Sequence, residues 1–255
     1  MEAAMPRRTE DSSTTVPPAQ QVEAAHPLWR CAKPCVWTSR MLTALIQGAE
    51  GAKWFRLYDK VFAERNLLAA FHQVAAKEGA AGVDHVTVGE FGRQLPDSLW
   101  ELSDRLQDGT YRPQAIRRVR IPKPGTTETR PLGIPTVRDR IVQAAIVNVI
   151  EPIFERDFAE QSYGFRPGRG CKDALRRVDA LLRSGHVHVV DADLKGYFDS
   201  IPHDRLMVRL EEKIADGPVL RLIESFVKAD ILDDASQWTP DAGAPQGAVL
   251  SPLLS

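Results

Sequence analysis

The chain has 255 residues, 43% of them hydrophobic, and its 33 basic and 34 acidic side chains leave a formal charge of −1. That is enough apolar sequence to bury the core of one large domain or two modest ones, and the neutral balance argues neither for nor against a polyanionic partner. No apolar run approaches the roughly 18 residues that cross a bilayer, and the charged N-terminus lacks the apolar core of a secretion signal, so no membrane association and a cytoplasmic location are expected.

Residues 1–40 mix Pro, Ser, Thr, Gln and Ala without a usable period, which predicts a disordered tail. From Met41 the pattern is helical, with Leu42, Leu45 and Ile46 and later Leu57, Val61, Leu68 and Phe71, until Gly79 and Gly82 interrupt it; two short helices fit better than one long one. Phe91, Leu95, Leu99, Leu102 and Leu106 predict one helix between Val88 and Leu106. Ile116, Val119 and Ile121 then alternate with arginines before the turn at Lys123-Pro124-Gly125, which predicts a β-ribbon continued by residues 130–135. Thr136 is an apt N-cap for a buried-face helix through Ile141, Ala145, Val149 and Ile153, and Pro152 is expected to kink its last turn. A further helix is predicted around Ala174 to Leu182, a central strand over His186 to Leu194, and helices near Leu206 to Ile214 and Leu220 to Ile231. Strands separated by helices indicate a mixed α/β (α+β) layer, and no internal repeat suggests a solenoid.

Three cysteines, Cys31, Cys35 and Cys171, are too few and too scattered for a disulfide framework or a four-ligand zinc site. Asp191 and Asp193 lie two apart, so on a strand their carboxylates leave one face, an arrangement suited to Mg²⁺ and phosphoryl transfer. From spacing alone the pair is more simply an acidic strand end facing water. Arg112, Arg117, Arg118, Arg120, Lys123 and Arg130 set six positive charges against one negative between Tyr111 and Arg130. They can contact phosphates, or equally guard a solvated edge strand. Residues 163–169, Tyr-Gly-Phe-Arg-Pro-Gly-Arg, interleave rings able to stack on bases with Arg166 and Arg169. His186 and His188 read as packing or surface residues.

Taken in order, Ile121-Pro122-Lys123-Pro124-Gly125, Arg130-Pro131-Leu132-Gly133-Ile134-Pro135-Thr136, Ser162 to Arg169, Asp191-Ala192-Asp193-Leu194-Lys195-Gly196-Tyr197-Phe198-Asp199 and Gly243 to Leu253 resemble the reverse transcriptase domain of bacterial group II intron-encoded proteins, or maturases, over about residues 55–255. The resemblance implies a right-hand polymerase organisation: a helical N-terminal extension over 41–110, fingers over 111–190 and part of a palm over 191–255. It implies that Asp193 is a catalytic, Mg²⁺-binding aspartate with the Leu194 carbonyl as a further ligand. Phe198 would lie under the sugar of the incoming nucleotide and disfavour a 2′-hydroxyl, and Gln246 would line the nucleotide pocket. Lys123 and Arg130 would meet the triphosphate, Arg166 and Arg169 would touch template or stabilise the fingers, and Arg117, Arg118 and Arg120 would face RNA. The implied partners are group II intron RNA, an RNA template with its DNA primer, and deoxynucleoside triphosphates; homodimerisation is left open. The Tyr-Ala-Asp-Asp block of the family does not occur before Ser255, so a truncated form with little DNA synthesis is expected. The alternatives are a non-catalytic intron RNA-binding splicing factor and a degenerate remnant.

Overall fold

The computed structural model describes residues 31–48, 51–234 and 236–255, so the first thirty residues of the expected tail lie outside it. The rest of the fold is assembled around one long helix, Val137–Glu155. It is capped by Thr136, whose Oγ1 accepts from the Asp139 amide at 3.1 Å. Fourteen of its 19 residues are buried, and a helix apolar on nearly every side can be satisfied only as the centre of a core. Ser39–Gln47 (α1), Tyr58–Val61 (α2) and Glu64–Ala75 (α3) come first in the chain, followed by Val88–Arg93 (α4) and Leu95–Gln107 (α5), and the central helix is α6. Helices α2 and α3 pack on α6, and α5 backs α3.

The buried amide side chains where α3 meets α6 are paired. The Asn66 amide donates to the carbonyls of Lys60 and Ala145, and its oxygen accepts from Asn148 at 2.9 Å; Gln73 donates to Asn148 Oδ1 and the Trp37 indole to the Asn148 carbonyl. An unpaired amide here would cost on the order of 1–3 kcal/mol, so the network fixes how α3 sits on α6.

The ribbon forms as the alternation predicts. Strands β1 (Ile116–Pro122) and β2 (Thr129–Ile134) pair antiparallel, and β1 continues through a parallel pairing with β3 (Ile231–Asp233), which pairs antiparallel with β4 (Ser236–Trp238). The sheet order is β2-β1-β3-β4. Register divides it into two faces. Arg118 opposes Gly133, Arg120 opposes Pro131, and Ile116, Ile231 and Trp238 form one cross-strand row, so these residues share a side. Arg117, Val119, Ile121, Arg130, Leu132 and Ile134 point to the other.

Four expectations are corrected. Residues 31–40 are not tail: Cys31, Ala32, Val36 and Trp37 are buried and α1 begins at Ser39. The single helix over Val88–Leu106 is two, broken at Gln94 (φ −115°, ψ 30°), because Pro96 in the first turn of α5 has no N–H to donate to the Gly92 carbonyl and so cannot continue α4. The end of the helix placed near Leu220 to Ile231 is instead β3, after α10 (Gly217–Val227) stops; α9 (His203–Glu211) precedes it. The central strand over His186–Leu194 does not form: the segment is irregular, and Val187, Val189, Val190 and Leu194 are 70% exposed or more. β-branched residues favour a strand only where a paired neighbour and a packed face receive them, and no described strand lies beside this one. The helix before it, α7 (Cys171–Arg183), forms as predicted but buries none of its residues.

Candidate nucleotide and nucleic-acid site

The loop Gly243 to Gly247 is the point where three distant parts of the sequence meet. The Gly243 amide donates to the Ile201 carbonyl and the Ala244 amide to the Phe198 carbonyl, at 2.8 and 2.7 Å, which ties the loop to the short helix α8 (Tyr197–Ser200). On its other side the Gly133 amide of β2 donates to the Gln246 carbonyl at 2.6 Å. From below, the Gln143 side chain of α6 accepts from the amides of Val249 and Leu250 at 2.8 and 3.3 Å, just ahead of α11 (Ser251–Leu254). Glycine is required at both ends of the loop. Gly243 has φ +96°, with the Phe198 carbonyl 2.9 Å from where a Cβ would be, and Gly247 has φ +101°, with the Gly133 carbonyl at 2.5 Å.

This clasp joins Gln246 to the ribbon through Gly133 and ties Phe198 to the same loop through Ala244, and both residues are half-buried. Arg130 stands exposed on β2, and Lys123 is paired with Glu128 at 2.7 Å across the ribbon tip. Asp193 and Leu194 stand outside the clasp, exposed on the irregular segment 186–196. Among the described residues no three His, Cys, Asp or Glu converge as a metal-binding group. Asp193 and a single carbonyl do not by themselves fit a two-ion centre.

The arginines divide by environment. The Arg118 guanidinium lies over the Trp238 ring, 4.9 Å from its centroid, Arg120 reaches Asp233 at 3.4 Å, and Arg117 is half-buried with an unpartnered Nε. Arg166 is held inside: it grips both oxygens of Glu155, donates to the Ala159 and Ser162 carbonyls and covers the Phe158 ring. Arg169 donates to the Glu160 carbonyl and lies over Tyr163. With Arg166 so occupied, the exposed group of its loop is Phe165, 82% accessible with φ +54°.

Sequence reasoning missed three supports. Gln143 was legible as the one amide between Val142 and Ala144 on a buried helix. Asp139, buried in the first turn of α6, accepts from the Tyr111 hydroxyl and the Gln114 amide and so anchors the start of the ribbon. Burial raises its carboxyl above the ordinary range despite those bonds. Trp238 carried no motif, because its meaning comes from the β3–β4 pairing.

Protein YkfC of Escherichia coli (strain K12) is 42% identical over 178 residues, covering 68% of this chain and 46% of that protein. The group II intron-encoded protein LtrA of Lactococcus lactis subsp. cremoris is 35% identical over 202 residues, covering 78% of this chain and 33% of LtrA. The chain thus spans between a third and a half of the length of these relatives. In structure it resembles a partial Cas6-RT-Cas1–Cas2 complex, with a TM-score of 0.53 at 24% identity, over 78% of this chain and 33% of that one. The family model for reverse transcriptase (RNA-dependent DNA polymerase) matches residues 121–255, from the ribbon through the clasp loop, and the chain belongs to that family.

Proposed function

We propose that the protein carrying this chain is an RNA-directed DNA polymerase of the group II intron type that also binds its intron RNA, with residues 41–110 as an extension, 111–190 as fingers and 191–255 as the first part of a palm. The observation that carries this reading is the clasp. Three motif blocks far apart in sequence are hydrogen-bonded into one wall, with Phe198 and Gln246 beside an arginine-edged ribbon. In this reading Phe198 restricts the sugar to the deoxy form by bulk, Gln246 bounds the nucleotide, and Arg130 with Lys123 faces its triphosphate. Arg117, Arg118 and Arg120 contact RNA, Arg169 supports the template path, and Arg166 holds the loop of residues 163–169 in shape.

Reverse transcriptases use divalent metal ions, and Asp193 with the Leu194 carbonyl is the contribution assigned to this chain, Mg²⁺ being the ion that suits oxygen ligands and phosphates. Both residues are exposed on the irregular segment, and neither is fixed by packing. The exposed segment around Asp193 favours a second reading, in which the described residues serve intron RNA binding without synthesis. Primer extension by the whole protein that carries this chain, on an RNA template with Mg²⁺ and deoxynucleotides, separates the two. Incorporation abolished by Asp193→Ala supports the polymerase, and RNA retention with no incorporation supports the binding role. Incorporation that survives the substitution overturns the assignment of Asp193. Because this chain supplies one assigned carboxylate, incorporation by its 255 residues alone is expected to be low.

A further inference from the structure

A cavity of about 330 Å³ opens on the sheet face opposite Arg130. Its floor is the row Ile116, Ile231 and Trp238, with Arg118 beside it, and its far wall is the segment from Thr239 to Gln246, with Asp199 and Asp241 at the rim. Register places Arg118 and Arg130 on opposite sides of the ribbon, so this cavity lies across the sheet from the triphosphate face, and the clasp loop from Gly243 to Gln246 forms part of its wall.

The hollow is held open by its own bracing. Asp230, just before β3, accepts from the Gln237 amide at 2.8 Å and from the Thr239 hydroxyl, which fixes the β3–β4 hairpin on both sides of Trp238. The Trp238 ring is 37% exposed and carries the Arg118 guanidinium over it, which makes a flat aromatic and cationic shelf. Its lining chemistry selects the ligand. Two carboxylates against one arginine disfavour a phosphate inside the hollow, while an aromatic shelf with apolar walls suits a flat ring, and the carboxylates accept from ring N–H groups. Two residues along the same face, Arg120 is more than half exposed and within reach of a phosphate flanking such a ring.

We propose that this cavity takes one unpaired nucleobase of an RNA strand, stacked on the Trp238–Arg118 shelf and read by Asp199 or Asp241. Guanine is the best match, because its N1–H and N2–H₂ form the donor edge a carboxylate accepts. The inference rests on the reading of the chain as an RNA-binding reverse transcriptase and adds a base-reading site between the ribbon and the Thr239 to Gln246 segment.

The test is fluorescence anisotropy of the full chain with labelled seven-nucleotide RNAs, oligo-U and oligo-U carrying one central guanine. The guanine oligomer is expected to bind more tightly, Trp238→Ala to lose about tenfold, and Trp238→Phe to keep most of the affinity. Asp241→Asn with Asp199→Asn should erase the preference for guanine while leaving oligo-U binding unchanged. Arg130→Ala, on the opposite face, should leave that preference intact. Competition with guanosine separates the sources of the base. Displacement only far above the oligomer's own dissociation constant identifies a strand, displacement at similar concentration identifies a free nucleoside, and each supports a base site. RNA binding indifferent to Trp238 and to base identity overturns the site and leaves the reverse transcriptase reading standing. Failure to bind any RNA overturns both.

Discussion

Replacing Gly247 with alanine strikes the clasp without touching any side chain assigned to nucleotide or metal. The new methyl must sit 2.5 Å from the Gly133 carbonyl oxygen and 2.7 Å from Leu132 Cδ1, in a residue already at φ +101°. A non-glycine residue in that backbone region costs about 1–3 kcal/mol. Relief by separating the loop from β2 also sacrifices the hydrogen bond from the Gly133 amide to the Gln246 carbonyl, about 1 kcal/mol more. A loss of roughly 2–4 kcal/mol in urea denaturation is therefore expected, with the Gly133 amide becoming the fastest to exchange in β2. Gly125→Ala provides the scale: it has φ +75° but open space around its Cβ position, so it should show the backbone cost alone. If Gly247→Ala is no more destabilising than Gly125→Ala and the Gly133 amide stays protected, the loop is not clasped to the ribbon as described.

Arg166→Ala should cost about 3–5 kcal/mol by thermal or urea melting, because it leaves the Glu155 carboxylate buried without its partner. Gln143→Leu keeps the volume but strands the Val249 and Leu250 amides, so a loss of about 2–4 kcal/mol is expected, with faster exchange confined first to residues 247–250. Glu151 is pushed up to about 7 from an ordinary 4.5, chiefly by burial and further by Glu155, with Lys33 opposing. A carboxyl raised on folding favours the protonated fold, so stability declines as pH rises from about 4.5 through about 7. Glu151→Gln should remove that decline, which urea midpoints at pH 5 and pH 8 will show; the difference is bounded by roughly 3 kcal/mol before the discount for its partial solvent contact.

Much of the fold could be read from local pattern. The ribbon followed from alternation, the Thr136 cap and α6 from an apolar run behind a hydroxyl, and α7 from its 3.6-residue period. Where local pattern failed, long-range pairing or its lack was decisive. Residues 186–194 have strand composition, yet nothing among the described residues pairs with them. Residues 231–238 lack a strong strand pattern, yet β1 offers them an edge. The site was legible as separate motifs, but the bonds joining Gly243, Ala244 and Gln246 to Ile201, Phe198 and Gly133 are backbone contacts that side-chain identity does not announce. Gly243 and Gly247 were the visible trace of them, since only glycine allows so close an approach. Arg166 shows the converse: its motif resembles a nucleic-acid contact, and its geometry is that of a buried structural ion pair.

The central claim is that Phe198, Gln246 and the ribbon form one deoxynucleotide site, and equilibrium binding tests it most directly. Titration of the chain with dTTP and with the matching ribonucleotide in the presence of Mg²⁺ should give tighter binding of the deoxy form. Gln246→Ala should weaken both, and Phe198→Ala should narrow the gap between them. Equal binding of the two sugars by the wild-type chain, or a preference that Phe198→Ala leaves unchanged, contradicts the account.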